Sequence, residues 1–238
     1  MKRIILTTIT ALATTLSATA QVGEFRNDLA IGGNAGINLN RISFDPHVSQ
    51  QFHIGPEIGA GIRYTCERYF KLVCAIQAEI NFSQKGWKET MNDNQHTYSR
   101  TSNYINIPFL ARLGYGHERK GFMGYLLAGP QLGFFLSESQ SYTGDWSDEY
   151  KASIQDHRTA QHDISTTKKF EYGITAGAGI EYSHPKAGHF SLDARYFFGL
   201  SDIFGNSKKD VFGRSANTSI TIKLSYYFDL IKTKAQYK

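Results

Sequence analysis

Apolar and polar side chains alternate strictly along eight stretches of this chain. In residues 29–39, Leu29, Ile31, Ala35, Ile37 and Leu39 share one parity, and Gly32, Asn34, Gly36 and Asn38 the other. Residues 52–64 set Phe52, Ile54, Ile58, Ala60, Ile62 and Tyr64 against His53, Glu57, Gly59, Gly61 and Arg63. The pattern repeats from Phe70 to Phe82, from Ile105 to Tyr115 and from Leu126 to Leu136, then from Phe170 to Tyr182, Phe190 to Leu200 and Ile220 to Phe228. A period of two held this long predicts strands, not helices.

Length and spacing narrow the architecture. The runs reach about 11–13 residues, beyond the five or six of an ordinary soluble strand and enough for the roughly 9–11 that a tilted strand needs to cross a bilayer. Aromatics mark both ends of the apolar face, as in Phe52 and Tyr64, Phe70 and Phe82, and Phe170 and Tyr182. Such pairs match the two girdles of a membrane barrel. The connections 65–69, 116–121 and 183–189 are short, and they alternate with long polar segments at 41–51, 83–103, 137–168 and 202–216. This predicts an all-β fold, an eight-stranded antiparallel up-and-down transmembrane β-barrel, with turns and termini periplasmic and loops outside. The rival is a soluble lipocalin-like binding barrel, which also alternates.

The N-terminus supports export. Lys2 and Arg3 precede a moderately apolar run diluted by threonines, and Ala18-Thr19-Ala20 forms a small-residue cleavage site. Residues 1–20 are therefore expected to be a signal peptide cleaved before Gln21, residues 21–228 the barrel, and residues 229–238 a polar tail. Cleavage lowers the formal charge from +5 to +3, too small an excess to argue for nucleic acid. Cys66 and Cys74 are expected on one extended stretch, roughly 26 Å apart, and hence as free thiols.

The segments Tyr104-Ile105-Asn106-Ile107-Pro108-Phe109-Leu110, Leu126-Leu127-Ala128-Gly129-Pro130-Gln131-Leu132-Gly133, Gly177-Ala178-Gly179-Ile180-Glu181-Tyr182 and Leu192-Asp193-Ala194-Arg195-Tyr196 resemble the PorT-like outer-membrane β-barrel family of Bacteroidetes. A leader ending in Ala20-Gln21 looks like that phylum too. The resemblance spans about residues 28–228 and implies a barrel in the outer membrane, with one branch of the family linked to protein secretion. The chain departs from the usual barrel ending, because ten residues follow the terminal aromatic Phe228.

The polar parity carries Glu57, Arg63, Lys71, Glu79, Arg112, Glu171, Glu181, Asp193, Arg195 and Lys223. Glu171 and Glu181 would suit acid/base work, but an eight-stranded lumen is only wide enough for side chains to fill. Near-balanced inward charges are therefore expected to form a packed ion-pair network. No nucleophile with a base, no cofactor and no catalytic residue is expected. His157, His162 and Asp163 have a spacing that could hold a metal, yet such loop spacing arises readily by chance. The segment 137–168 holds Tyr142, Trp146 and Tyr150 among Asp145, Asp148 and Glu149, suited either to partner contact or to plain solvation. The expected partners are outer-membrane lipids, the barrel-insertion machinery and envelope or secretion proteins. The expected role is an anchor presenting external loops, with an accessory part in protein secretion as the alternative.

Overall fold

The computed structural model describes residues 23–91, 96–147, 150, 153, 159–207 and 210–233. The expected signal peptide lies outside them, as does His157. Eight strands follow in order: β1 (Glu24–Asp45), β2 (His53–Tyr69), β3 (Leu72–Thr90), β4 (Thr97–Gly116), β5 (Gly121–Thr143), β6 (Phe170–His184), β7 (Gly188–Asp202) and β8 (Arg214–Ile231), with a single-turn helix α1 (Ala160–Asp163) before β6. Each strand pairs antiparallel with its neighbour, and β1 pairs with β8, so the barrel closes without an edge. Closure satisfies every ladder within the chain, the condition for β-structure in lipid.

Side-chain parity sets the two faces. Ile76 points outward and is 57% exposed, while its neighbour Gln77 is 4% exposed. Ile54, Ile58, Ile80, Leu126, Ile174, Ile180 and Leu224 continue the exposed apolar wall, bounded on the turn side by Tyr115, Phe122, Tyr182, Phe190 and Tyr226. A soluble barrel would reverse this arrangement, with water-facing polar groups outside and an apolar lumen. The lipocalin-like rival is thereby set aside, because the buried interior is polar and the exposed wall apolar.

The strands run 15–23 residues, well past the span of a membrane. The surplus lies at the loop end, where 41–51, 83–103, 137–168 and 202–216 were expected to be connections. Pairing instead continues into them: Lys88 stands opposite Ser99, and Tyr98 opposite Tyr142. The cause is a second core. Ile42, Phe44, Val48, Trp87, Tyr98, Ile203, Phe204 and Phe212 bury one another above the polar lumen, with Trp146 and Ile164 packed against them. Aromatic burial of this size holds strands together where no lipid does.

At the opposite end the turns are tight. Phe70 and Lys71 alone connect β2 to β3, with Phe70 at φ 55°. Lys71 is therefore an exposed turn residue, not one of the lumen charges among which its parity had placed it. Gly188 opens β7 at φ 88°, a backbone conformation that a side chain resists. The β2–β3 turn also corrects the cysteine geometry. The chain reverses between the two cysteines, and Cys66 falls in a bulge between Thr65 and Glu67, with Glu67 opposite Cys74. They lie on paired strands and not along one stretch; both thiols are free.

Candidate functional site

The interior is a ladder of ion pairs. Of the ten polar-parity charges read from the sequence, all but the turn residue Lys71 are buried: Glu57, Arg63, Glu79, Arg112, Glu171, Glu181, Asp193, Arg195 and Lys223. On the turn side, Glu181 Oε2 accepts from Arg63 Nη1 at 2.5 Å and from Arg112 Nη2 at 2.8 Å. In the middle, Glu79 accepts from Arg195 Nη2 at 2.9 Å and from Lys223 Nζ at 3.0 Å. Lys223 also meets Glu57 at 2.5 Å, and Arg195 Nε donates to Asp193 at 2.6 Å. Tyr125 hydroxyl donates to the second Asp193 oxygen at 2.9 Å. On the loop side, Glu171 is held by Lys85 and by Asn217.

The three levels differ in sign. The turn-side level has two guanidinium groups on one carboxylate, the middle has three carboxylates on two cations, and the loop-side level has one of each. The excesses cancel along the lumen, which lowers the cost of burying so many charges. Guanidinium groups also lie on rings: Arg112 is 3.8 Å from the Tyr125 ring centroid and Arg63 4.9 Å from that of Tyr227.

Lys85, His189 and Asp229 belong to the same system and escaped the sequence reading. Lys85 sat in a segment expected to be a loop, yet its parity continues from Asn81 and Ser83. His189 and Asp229 likewise keep the inward parity of Ser191 and Tyr227. Extending each run by up to three residues would have found all three.

His189 creates an arrangement that contradicts the expectation that no nucleophile meets a base. Ser183 Oγ lies 2.8 Å from His189 Nδ1, and Asp229 Oδ2 lies 2.9 Å from His189 Nε2. The residue types are those of a serine–histidine–aspartate relay, but the ring is turned, since in the relay the serine meets Nε2 and the aspartate Nδ1. Its surroundings do not suit catalysis. Ser183 is fully buried, Glu181 competes for the same hydroxyl at 3.3 Å, and the adjoining cavity of about 30 Å³ has room for water only. The contact pins the ends of β6, β7 and β8 together at the barrel mouth.

The second polar constellation is built into the loop-end cap. Glu89 Oε1 accepts from Trp87 Nε1 at 2.6 Å, and its Oε2 accepts from Gln161 Nε2 at 2.9 Å and meets His162 Nε2 at 3.0 Å. His162 stacks on Tyr98 with centroids 3.7 Å apart. Burial raises the Tyr98 phenol far above its ordinary value and, more weakly, that of Tyr142. Arg100 Nη1 donates to the Ile164 carbonyl at 2.7 Å, and Glu138 Oε2 accepts from Thr166 Oγ1 at 2.6 Å. The helix α1 is thus tied down by a buried acid and a buried base from β3 and β4.

Of the three aromatic residues proposed as loop contacts, Tyr142 stands at the loop end of β5 and is 43% exposed. Trp146 leans on it with centroids 5.3 Å apart, and Tyr150 on Trp146 at 5.7 Å. His162 faces Glu89 while Asp163 points to solvent, so the two do not converge on a metal. Among the described residues no group of three His, Cys, Asp or Glu side chains could hold one.

The chain is similar to several solved outer-membrane proteins. The β-barrel domain of Pseudomonas aeruginosa OprF shares 13% identity over 86% of this chain and 100% of its own, with a TM-score of 0.37. The outer membrane enzyme PagL shares 8% over 82% of this chain and 98% of its own, with a TM-score of 0.43. Ail, the attachment invasion locus protein of Yersinia pestis, seen with the heparin analogue sucrose octasulfate, shares 12% over 85% of this chain and 99% of its own, with a TM-score of 0.37. No curated protein matches the sequence. A family model, outer membrane protein beta-barrel domain, matches residues 19–205, and the chain belongs to that family of outer-membrane β-barrels.

Proposed function

We propose that this protein is a non-enzymatic anchor, exported by a signal peptide over residues 1–20, that holds its capped end at the cell surface for contact with a partner. The turns and both chain termini then lie in the periplasm, as the alternation of short and long connections suggests. The observation that carries the reading is the surplus of strand beyond the membrane. β3, β4 and β5 continue past the lipid-facing band and close over an aromatic core, with Tyr142, Trp146 and Tyr150 at its rim. A barrel that only filled a bilayer would need no such extension. Transport is disfavoured because charged side chains pair across the lumen from opposite walls, as Arg195 on β7 does with Glu79 on β3.

The test is capture of surface partners from native membranes with the intact protein and with Tyr142→Ala/Trp146→Ala. Loss of a specific partner, with heat-modifiable gel migration retained, supports the anchor. The same partners from both proteins overturn it. A second reading, an accessory part in protein secretion, rests on the resemblance of Leu126–Gly133 and Gly177–Tyr182 to the PorT-like family of Bacteroidetes. Co-purification of secretion machinery independent of the Tyr142 rim would favour that reading.

A further inference from the structure

Two outward-facing arginines at the loop-end girdle lack the partners that every lumen charge has. Arg41 on β1 is exposed and lies with its guanidinium carbon 5.8 Å from the centroid of Phe52, itself 50% exposed. Arg214 on β8 is also exposed and lies 5.2 Å from the centroid of Phe198 on β7. Among the described residues neither forms an ion pair. Asp45 stands opposite Arg214 in the register without pairing to it. Asp202 is occupied by Ser215 N at 2.6 Å and Asn206 Nδ2 at 2.9 Å.

The register makes the two cations neighbours on the wall. Thr218 is the partner of Arg41 across β1 and β8, and also the partner of Phe198 across β7 and β8. Arg214 starts four residues farther out on β8 and reaches back over Phe198. The rings under the two charges, Phe52 beside β2 and Phe198 on β7, are three strand spacings apart, about 14 Å. On the turn side of this stretch the wall is apolar, formed by Ile37, Ile54 and Ile220.

We infer that Arg41 and Arg214 form a binding site for a lipid of the surrounding leaflet whose headgroup carries two phosphates, its acyl chains lying along Ile37, Ile54 and Ile220. Guanidinium groups bind phosphate oxygens in pairs, and a ring beneath each one orients it and limits its freedom before the ligand arrives. The wall on the turn side of both is apolar, so phosphate and chains are served together. The exposed Lys71, Lys120 and Lys186 at the turn end differ, since they stand on turn tips with no ring under the charge. Placing the pair in the outer leaflet rests on the orientation proposed above.

The experiment uses the full-length protein in phosphatidylcholine nanodiscs and reads lipid retention by native mass spectrometry. The probes are a diphosphorylated diglucosamine lipid, its monophosphorylated form and phosphatidylethanolamine. The diphosphorylated lipid should be retained about tenfold over the others, as expected for one additional charge-assisted phosphate contact. Arg41→Gln/Arg214→Gln should erase the preference, Arg41→Lys should keep part of it, and Lys120→Gln should leave it unchanged. Equal retention by the double variant overturns the site. So does displacement by millimolar inorganic phosphate, which would assign the pair to a soluble anion. Orientation is read separately, by labelling Ser141→Cys on intact cells with an impermeant maleimide in a Cys66→Ser/Cys74→Ser background. Failure to label would sink the orientation while leaving the nanodisc result standing.

Discussion

Arg112 and Arg63 converge on a single oxygen of Glu181, at 2.8 and 2.5 Å. The carboxylate is therefore the shared member, and the two arginines are not equivalent to it. Glu181→Gln leaves two guanidinium groups buried with no anion between them. Arg112→Gln leaves Glu181 still facing Arg63 and His189. The acid variant should lose about 3–5 kcal/mol and the arginine variant clearly less, since removing one partner of a buried pair costs most when the survivor has no other. Urea titration of the refolded protein in detergent checks the order; a larger loss for Arg112→Gln would contradict it.

The wall makes a different demand. Ile76 and Gln77 are adjacent, yet one meets lipid and the other the lumen. Ile76→Arg near mid-membrane should cost about 2–4 kcal/mol. A cysteine at Ala178 should react with a lipid-phase label and one at Gly177 should resist it. The reverse result would mean a register shifted by one residue, which inverts every face.

Phe70 is a non-glycine residue held at φ 55° in a two-residue turn. Such a conformation costs on the order of 1 kcal/mol for a bulky side chain. The ring is 80% exposed and can be kept in place by the membrane interface, where aromatics anchor. Phe70→Gly should therefore raise the urea midpoint in a short-chain detergent and lose that advantage in bilayers. A lower midpoint in both media would show that the strain is not the governing term.

These cases mark how far the sequence could be read. Alternation at Ile76 and Gln77 is a local signal, dictated by the pleat, and it gave the strand number, the parity and the inward position of residues such as Glu57 and Lys223. It failed where lipid no longer enforces the period. Around Trp87 the inward side chains Lys85, Trp87 and Glu89 stay buried while Lys88 faces out, so an aromatic stands inside and a charge outside and the apolar–polar pattern breaks although pairing continues. Partner choice was equally hidden. That Arg195 meets Glu79, more than a hundred residues away, depends on barrel closure and shear, which no local spacing encodes. The serine–histidine–aspartate contact needed three strand ends to meet, and its lack of room shows only in three dimensions.

Trp87 tests whether the cap is a separate unit. It is buried between Phe44, Tyr98 and Phe204, and its indole N–H is satisfied by Glu89. Trp87→Ala should cost about 3–5 kcal/mol in the cap. The lipid-embedded ladders share none of these contacts, so heat-modifiable migration should persist. Amide exchange should rise at Tyr98–Arg100 and stay slow at Ile107–Leu113. Uniform loosening along β4 would instead show one cooperative barrel.

Replacing Ser141–Lys168 with a short Gly-Ser turn joins these arguments. The membrane band keeps its own hydrogen bonds around the closed ring, so insertion and heat-modifiable migration should survive. The cap should not. The segment supplies Gln161 and His162 to Glu89, and the Ile164 carbonyl to Arg100. Its loss leaves a buried carboxylate and a buried guanidinium without those partners, which the surrounding strands can relieve only by opening to water. Trypsin should then cut at Lys88 and Arg100, sites that the intact protein protects by strand pairing, and leave a resistant fragment beginning at Thr101. A second truncation confined to Gly144–Ser147 removes Trp146 but spares Gln161, His162 and Ile164. That variant should stay resistant at Arg100. If both truncations resist trypsin equally, the cap stands without its acid and base contacts, and the segment is only a surface loop.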